Sequence, residues 1–110
     1  MGCEPPTTSL TGEWDCTIVG LSGQSSAWMQ LTENNGQLTG TFKWDNHNLN
    51  LQINGTVNSQ RQVNMETQDT THRCILALRA LKEDTFLDGG IVYYRDNFYV
   101  DNGSFDANKR

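Results

Sequence analysis

At 110 residues, of which 35% are hydrophobic and 10 are glycine, the chain has material for one core and none for a second domain. Charged side chains make up only 19%, whereas Thr (12), Asn (11), Gln (7) and Ser (6) supply close to a third of the chain, so its surface is built from neutral polar groups. A formal charge of −5 excludes the basic footprint of a nucleic-acid or anionic-membrane binder, and no apolar run reaches the ~18 residues that a bilayer-spanning helix requires.

The first nine residues read as a flexible tether, because Glu4-Pro5-Pro6-Thr7-Thr8-Ser9 contains no hydrophobic anchor other than its two prolines. Gly2-Cys3 followed by such a linker resembles the processed start of a bacterial lipoprotein. That resemblance implies a lipid on Cys3 and export to the periplasm or outer membrane, the hydrophobic signal having been removed. N-terminal myristoylation fits less well, since Pro6 stands where that motif takes Ser or Thr. The remaining alternative is a tail with a free thiol.

With Cys3 set aside, an exported chain leaves Cys16 and Cys74 to form a disulfide; the other reading has both as small buried hydrophobes. The spacings contain neither C-x-x-C nor H-x-x-x-H, and His47 and His72 are isolated in sequence, so no metal site is expected.

From Leu10 onward the dominant hydrophobic period is two. Strand formers recur over 11–19, 26–33, 37–45, 48–57, 61–68, 72–81, 85–94 and 98–106. The clearest alternation is Leu49, Leu51, Ile53, Gly55 and Val57 against Asn50, Gln52, Asn54 and Thr56. Residues 72–81 are the ambiguous stretch, because Leu76, Ala77, Leu78, Ala80 and Leu81 would also suit a short helix; a strand is predicted there. The links are turn chemistry, including Asn34-Asn35-Gly36, Asp45-Asn46-His47 and Asp96-Asn97. Connections this short join only antiparallel neighbours. The predicted fold is therefore all-β: an eight-stranded antiparallel up-and-down meander barrel over 10–110, closed so that no sheet edge is left bare.

A short motif recurs along these strands: Leu10-Thr11-Gly12-Glu13-Trp14, Leu38-Thr39-Gly40-Thr41-Phe42, Ile53-Asn54-Gly55-Thr56-Val57, Leu87-Asp88-Gly89-Gly90-Ile91 and Asp101-Asn102-Gly103-Ser104-Phe105. Glycine weakens a strand, so its repeated use predicts sharp bends or close backbone approach at barrel corners.

Leu10-Thr11-Gly12-Glu13-Trp14 resembles the G-x-W opening of lipocalins and avidins. Trp28-Met29-Gln30-Leu31, the Asn34-Asn35-Gly36 turn and Gln37-Leu38-Thr39-Gly40-Thr41-Phe42 are similar to the second and third avidin strands. Gly103-Ser104-Phe105-Asp106-Ala107 resembles the closing strand of small bacterial lipoproteins with calycin-like barrels. The resemblance implies a barrel that holds a small ligand. Its biotin site does not carry over: Phe42 stands where the family offers a tyrosine hydroxyl, and no tryptophan follows Trp44.

No catalytic constellation is apparent, and the chain is read as a non-enzyme without a cofactor. Asp45 and His47 fall in a predicted turn, Cys74 and His72 read as an interior thiol beside a rim histidine, and Gly89-Gly90 lacks the lysine and helix of a phosphate loop. If Gly103 faces inward with the other motif glycines, so do Tyr99, Asp101 and Phe105. An inward aspartate is costly unless partnered. Asp101, with Trp14, Phe42, Trp44, Tyr93 and Tyr99, is therefore the candidate pocket for a small apolar or cationic ligand. Two alternatives compete with it: an interior filled by its own side chains, and a bulge near Asn102-Gly103 that turns Asp101 outward.

The second functional reading is protein recognition. A G-x-W barrel with an extended N-terminal arm also resembles bacterial periplasmic metallopeptidase inhibitors, which insert that arm into the enzyme cleft; a lipid on Cys3 would exclude this use. Outward Tyr94 and Trp28 form a candidate contact patch, and self-association through the barrel sides explains them equally well. The sequons at Asn54 and Asn102 coincide with the strand motif and are read as chance.

Overall fold

The computed structural model describes residues 9–21, 23–69 and 71–110, with the side chain of Asn46 also left aside. Eight strands follow in order: β1 Gly12–Gly20, β2 Gly23–Asn34, β3 Gln37–Trp44, β4 Leu49–Val57, β5 Gln62–Thr67, β6 His72–Leu81, β7 Phe86–Arg95 and β8 Phe98–Lys109. They form a closed barrel in meander order, every neighbouring pair antiparallel, with β1 returning to β8. Among the described residues there is no α-helix, only a 3-10 turn at Asp45–His47. The ambiguous stretch is strand, because Cys74, Leu76, Leu78 and Ala80 enter the core while Arg73, Ala77 and Arg79 meet water.

The turns obey their residue types. Asn35 and Gly36 are both left-handed (φ 53° and 81°), as are Asp96 and Asn97 (φ 50° and 68°), which is the two-residue hairpin geometry that matches the strand twist. The motif glycines mark close approach. A Cβ on Gly40 would lie 1.7 Å from the Gln30 carbonyl oxygen, and one on Gly103 would lie 2.1 Å from that of Val19. Neighbouring backbone occupies the space in which a side chain would stand.

Inward side chains fill the barrel. Trp14, Phe42, Trp44, Tyr93 and Phe105 are all essentially sealed from water, packed with Leu10, Ile18, Met29, Leu31, Leu38, Ile53 and Leu76. Phe42 lies 6.4 Å, ring to ring, from both Trp44 and Phe105. Of the two interior readings left open by the sequence, the filled one describes this core.

Cys16 and Cys74 are free, buried thiols, which corrects the expected disulfide. They stand on β1 and β6, three strands apart around the closed wall. At about 4.8 Å per strand step, that separation exceeds the ~7 Å Cα limit for a bridge. Burial pushes both thiols up to about 12, with Asp15 adding to the effect at Cys16, so neither is a thiolate near neutrality. The expected tether, apart from Ser9, and Cys3, the expected lipidation site, lie outside the described residues.

Candidate functional site

The two ends of the barrel are closed differently. At one end, Arg61 bonds both oxygens of the buried Asp84 and reaches Glu33 Oε1 at 3.4 Å, while Glu33 accepts the Leu10 N–H at 2.9 Å. Trp14 Nε1 donates to the Leu10 carbonyl at 3.0 Å, and Lys109 Nζ binds the Ser9 carbonyl. The described N-terminal segment is thus stitched across this end.

The other end is organised by Asp101. Its side chain is 3% exposed and pairs with His47 Nε2 at 2.9 Å, and its other oxygen accepts the Leu21 N–H at 2.9 Å. Burial pushes the Asp101 carboxyl up, but the hydrogen bonds from His47 and from the Leu21 and Asn102 N–H groups outweigh it and hold the carboxyl below the usual carboxylate range. One carboxylate thereby ties together the β1–β2 turn, the 3-10 turn after β3, and β8. Asn48, left-handed at φ 54°, ends that 3-10 turn and lets the chain enter β4 with His47 folded over the barrel mouth.

Aromatic rings complete the plug. The His47 ring stands edge-on to Trp44 at 4.5 Å and lies 4.8 Å from Tyr93, which in turn stacks on His72 at 6.4 Å. Trp44 Nε1 donates to Ser25 Oγ at 2.8 Å. No buried side-chain polar atom among the described residues is left without a partner.

Of the six pocket residues expected from the sequence, the structure gathers Asp101, Trp44 and Tyr93 here. Phe42 sits one layer deeper, and Trp14 lies toward the opposite end. Tyr99 is a correction: it is 53% exposed. Tyr93 pairs with Asp101, yet Tyr94 pairs with Tyr99, so Val100 is an extra residue that reverses the alternation. A bulge was anticipated at Asn102-Gly103; its actual place leaves Asp101 inward and turns Tyr99 out. His47 was missed as its partner. The two are 54 residues apart, and the only signal available was the cost of an unpaired inward aspartate.

This arrangement suits closure better than small-molecule capture. Both Asp101 oxygens are engaged, and rings fill the space that a cation would need. Hollows on the outer wall of the barrel include one of about 430 Å³ lined by residues such as Gln62, Asn64 and Arg79 and one of about 370 Å³ lined by residues such as Gln37, Asn54 and Thr56.

Around the Asp101 plug the surface turns apolar. Leu21 is 69% exposed, Phe98 76% and Val100 37%, with Val19 and Tyr99 beside them. Tyr94 packs edge-on against Tyr99 at 6.3 Å, whereas Trp28 lies on the side wall beneath Lys43. Compared with protein-family models, curated proteins and solved structures, the chain finds no match.

Proposed function

We propose that the protein is a non-enzymatic interaction module of the bacterial cell envelope, anchored by a lipid on Cys3 and presenting the Asp101 end of its barrel to a partner. The observation that carries this reading is the separation of two features to opposite ends. The described chain enters the barrel at Ser9 and Leu10, beside Lys109 and Glu33, while the exposed Leu21, Phe98, Tyr99 and Val100 crown the other end. Cys3 is six peptide links from Ser9, a contour of at most about 20 Å. A lipid there holds the Arg61–Asp84 end toward the membrane and turns the apolar crown away from it.

The filled interior and the saturated Asp101 support a surface function over a buried ligand, and the two protonated, buried thiols support a non-catalytic one. Monomeric proteins seldom leave contiguous apolar patches of several hundred Å² without a use. The test is mass spectrometry of the full-length protein recovered from its own membranes. A diacyl or triacyl group on Cys3 is expected, and an unmodified thiol refutes the anchored reading.

A further inference from the structure

The outer wall of the barrel is not uniformly polar. On β3 and β4 it carries Thr39, Thr41, Gln52 and Asn54, whereas β6 and β7 place Ile75, Ala77 and Val92 on it. The run from Cys74 to Leu78 is consequently hydrophobic at every position, as is that from Ile91 to Tyr93, which is the pattern of strands covered on both faces. A one-sided antiparallel strand would alternate instead.

The register arranges this face in rows. Ile75, Val92 and Asn102 stand side by side on β6, β7 and β8; the next row is Ala77, Gly90 and Ser104, continued by Val19 on β1; the third is Arg79, Asp88 and Asp106. Hollows of about 370 Å³ and about 430 Å³ meet at Ala77, the first bounded by Ile75 and Val92, the second by Arg79 and Asp88. The charged row is unfinished within one chain. Among the described residues Arg79 makes no ion pair, and neither do Asp88 and Asp106. Asp106 lies against Asp88 instead, and the hydrogen bond between them, burial and mutual repulsion push its carboxyl up. We infer that the outer face of β6, β7 and β8 is a homodimer interface, in which Arg79 of each copy meets the Asp88 and Asp106 carboxyls of the other.

Self-complementarity selects a second copy as the occupant. A twofold axis running along the strands between β6 and β7 sets Arg79 opposite Asp88, with Asp106 one strand further at about 4.8 Å. The same rotation sets Ile75 opposite Val92 and Ala77 opposite Gly90, so charge meets opposite charge and apolar meets apolar. An axis across the strands would lay the charged row on Ile75 and Val92 and bury its charges unpaired. With the axis along the strands, both barrels run in the same sense. Both Ser9 entries lie on one side and both apolar crowns on the other, an arrangement that lets two lipids enter one membrane. The matched wall, three strands ~4.8 Å apart by three rows ~6.8 Å apart, covers about 300 Å², well below the ~800 Å² per partner of a tight pair. The dimer is therefore weak in solution, and anchoring both chains in one membrane raises their effective concentration.

Sedimentation equilibrium of the full chain, taken to about 1 mM because an interface this small binds weakly, should show a reversible monomer–dimer equilibrium. Arg79→Glu and Asp88→Lys should each weaken it about tenfold or more. An equimolar mixture of the two should recover it, because the introduced glutamate meets the introduced lysine and the second contact is native. Ala77→Glu, in the middle row, should abolish the pair, and Asn50→Lys on β4 should leave it unchanged. All four positions are exposed, so thermal melts should match the wild type; if Asp88→Lys lacks a cooperative transition, Asp106→Lys replaces it. A wild type that stays monomeric at ~1 mM, variants that dimerise as the wild type does, or a mixture no tighter than its components overturns this interface. A dimer kept by Ala77→Glu but lost on Phe98→Ser assigns self-association to the apolar crown and overturns it equally. An unmodified Cys3 would remove the anchor without touching any of these outcomes.

Discussion

Replacing Asp101 with Ala removes the acceptor that joins three segments of one barrel end. Three donors lose their partner: the part-buried Leu21 N–H, the N–H of the exposed Asn102, and the His47 Nε2, whose side chain is 20% exposed; the last two can turn to water. A hydrogen bond to a charged group is worth about 1.5–3 kcal/mol, and an orphaned buried donor costs about 1–3 kcal/mol. With His47 partly rehydrated, the sum is about 2–4 kcal/mol. For a barrel of this length that lowers the melting temperature by roughly 8–16 °C. Asp101→Asn keeps one acceptor and should cost about half as much.

Urea unfolding followed by tryptophan fluorescence measures both variants, and a double-mutant cycle with His47→Ala isolates the pair, expected at about 1–2 kcal/mol. The pH dependence supplies a second check. Because folding depresses the Asp101 pKa, its contribution is fully present above the unfolded value near 4 and is lost as pH falls below it, so wild type and Asp101→Asn should converge in acid. An Asp101→Ala variant within ~0.5 kcal/mol of wild type at neutral pH, the ordinary range of a surface change, would refute the claim that this carboxylate organises the end.

Arg61→Ala should destabilise by about 2–3 kcal/mol in guanidinium melts, because it leaves the buried Asp84 carboxylate without its cation. Gly40→Ala should cost more than about 2 kcal/mol, since its Cβ meets backbone at 1.7 Å, whereas Gly90→Ala, whose nearest neighbour is 3.4 Å away, should fall within about 1 kcal/mol of wild type. Asp106 faces Asp88 across β7 and β8, and the hydrogen bond and repulsion from Asp88 push its carboxyl up. A folded value above the unfolded one means that stability falls as pH rises through the interval between them. Asp106→Asn should remove that fall and add about 0.5 kcal/mol at pH 7, measured as a thermal shift across pH 3–7. Intact mass with and without reductant should be identical, with Cys16 and Cys74 alkylated by iodoacetamide only after denaturation.

Much of the architecture is legible in local residue patterns. Alternation at Leu49, Leu51, Ile53 and Val57 assigns an inner and an outer face without reference to any other strand, because side chains in a strand reverse at every residue. Asn35-Gly36 and Asp96-Asn97 assign hairpins for an equally local reason, their tolerance of left-handed backbone. Five recurring glycine motifs announce close approach, though not which strand approaches. The candidate site is less legible. Asp101 could be singled out because an inward carboxylate demands a partner, but nothing near it in sequence names His47 or the Leu21 amide. Arg61 and Asp84 look like ordinary turn residues until the barrel brings them together.

By itself, then, the sequence determined the face of each strand, the positions of the turns and the excess of Asn, Gln and Thr on the wet wall, since each follows from the period of two and from single-residue backbone preference. Only the tertiary structure decided what depends on register. The pairing of β1 with β8 stops at Gly20 opposite Gly103, and one extra residue at Val100 sends Tyr99 outward while Asp101 stays in. The wall spacing between β1 and β6 keeps Cys16 from Cys74. A shift of one residue in a strand exchanges its two faces, so features set by pairing between distant strands cannot be read from either strand alone.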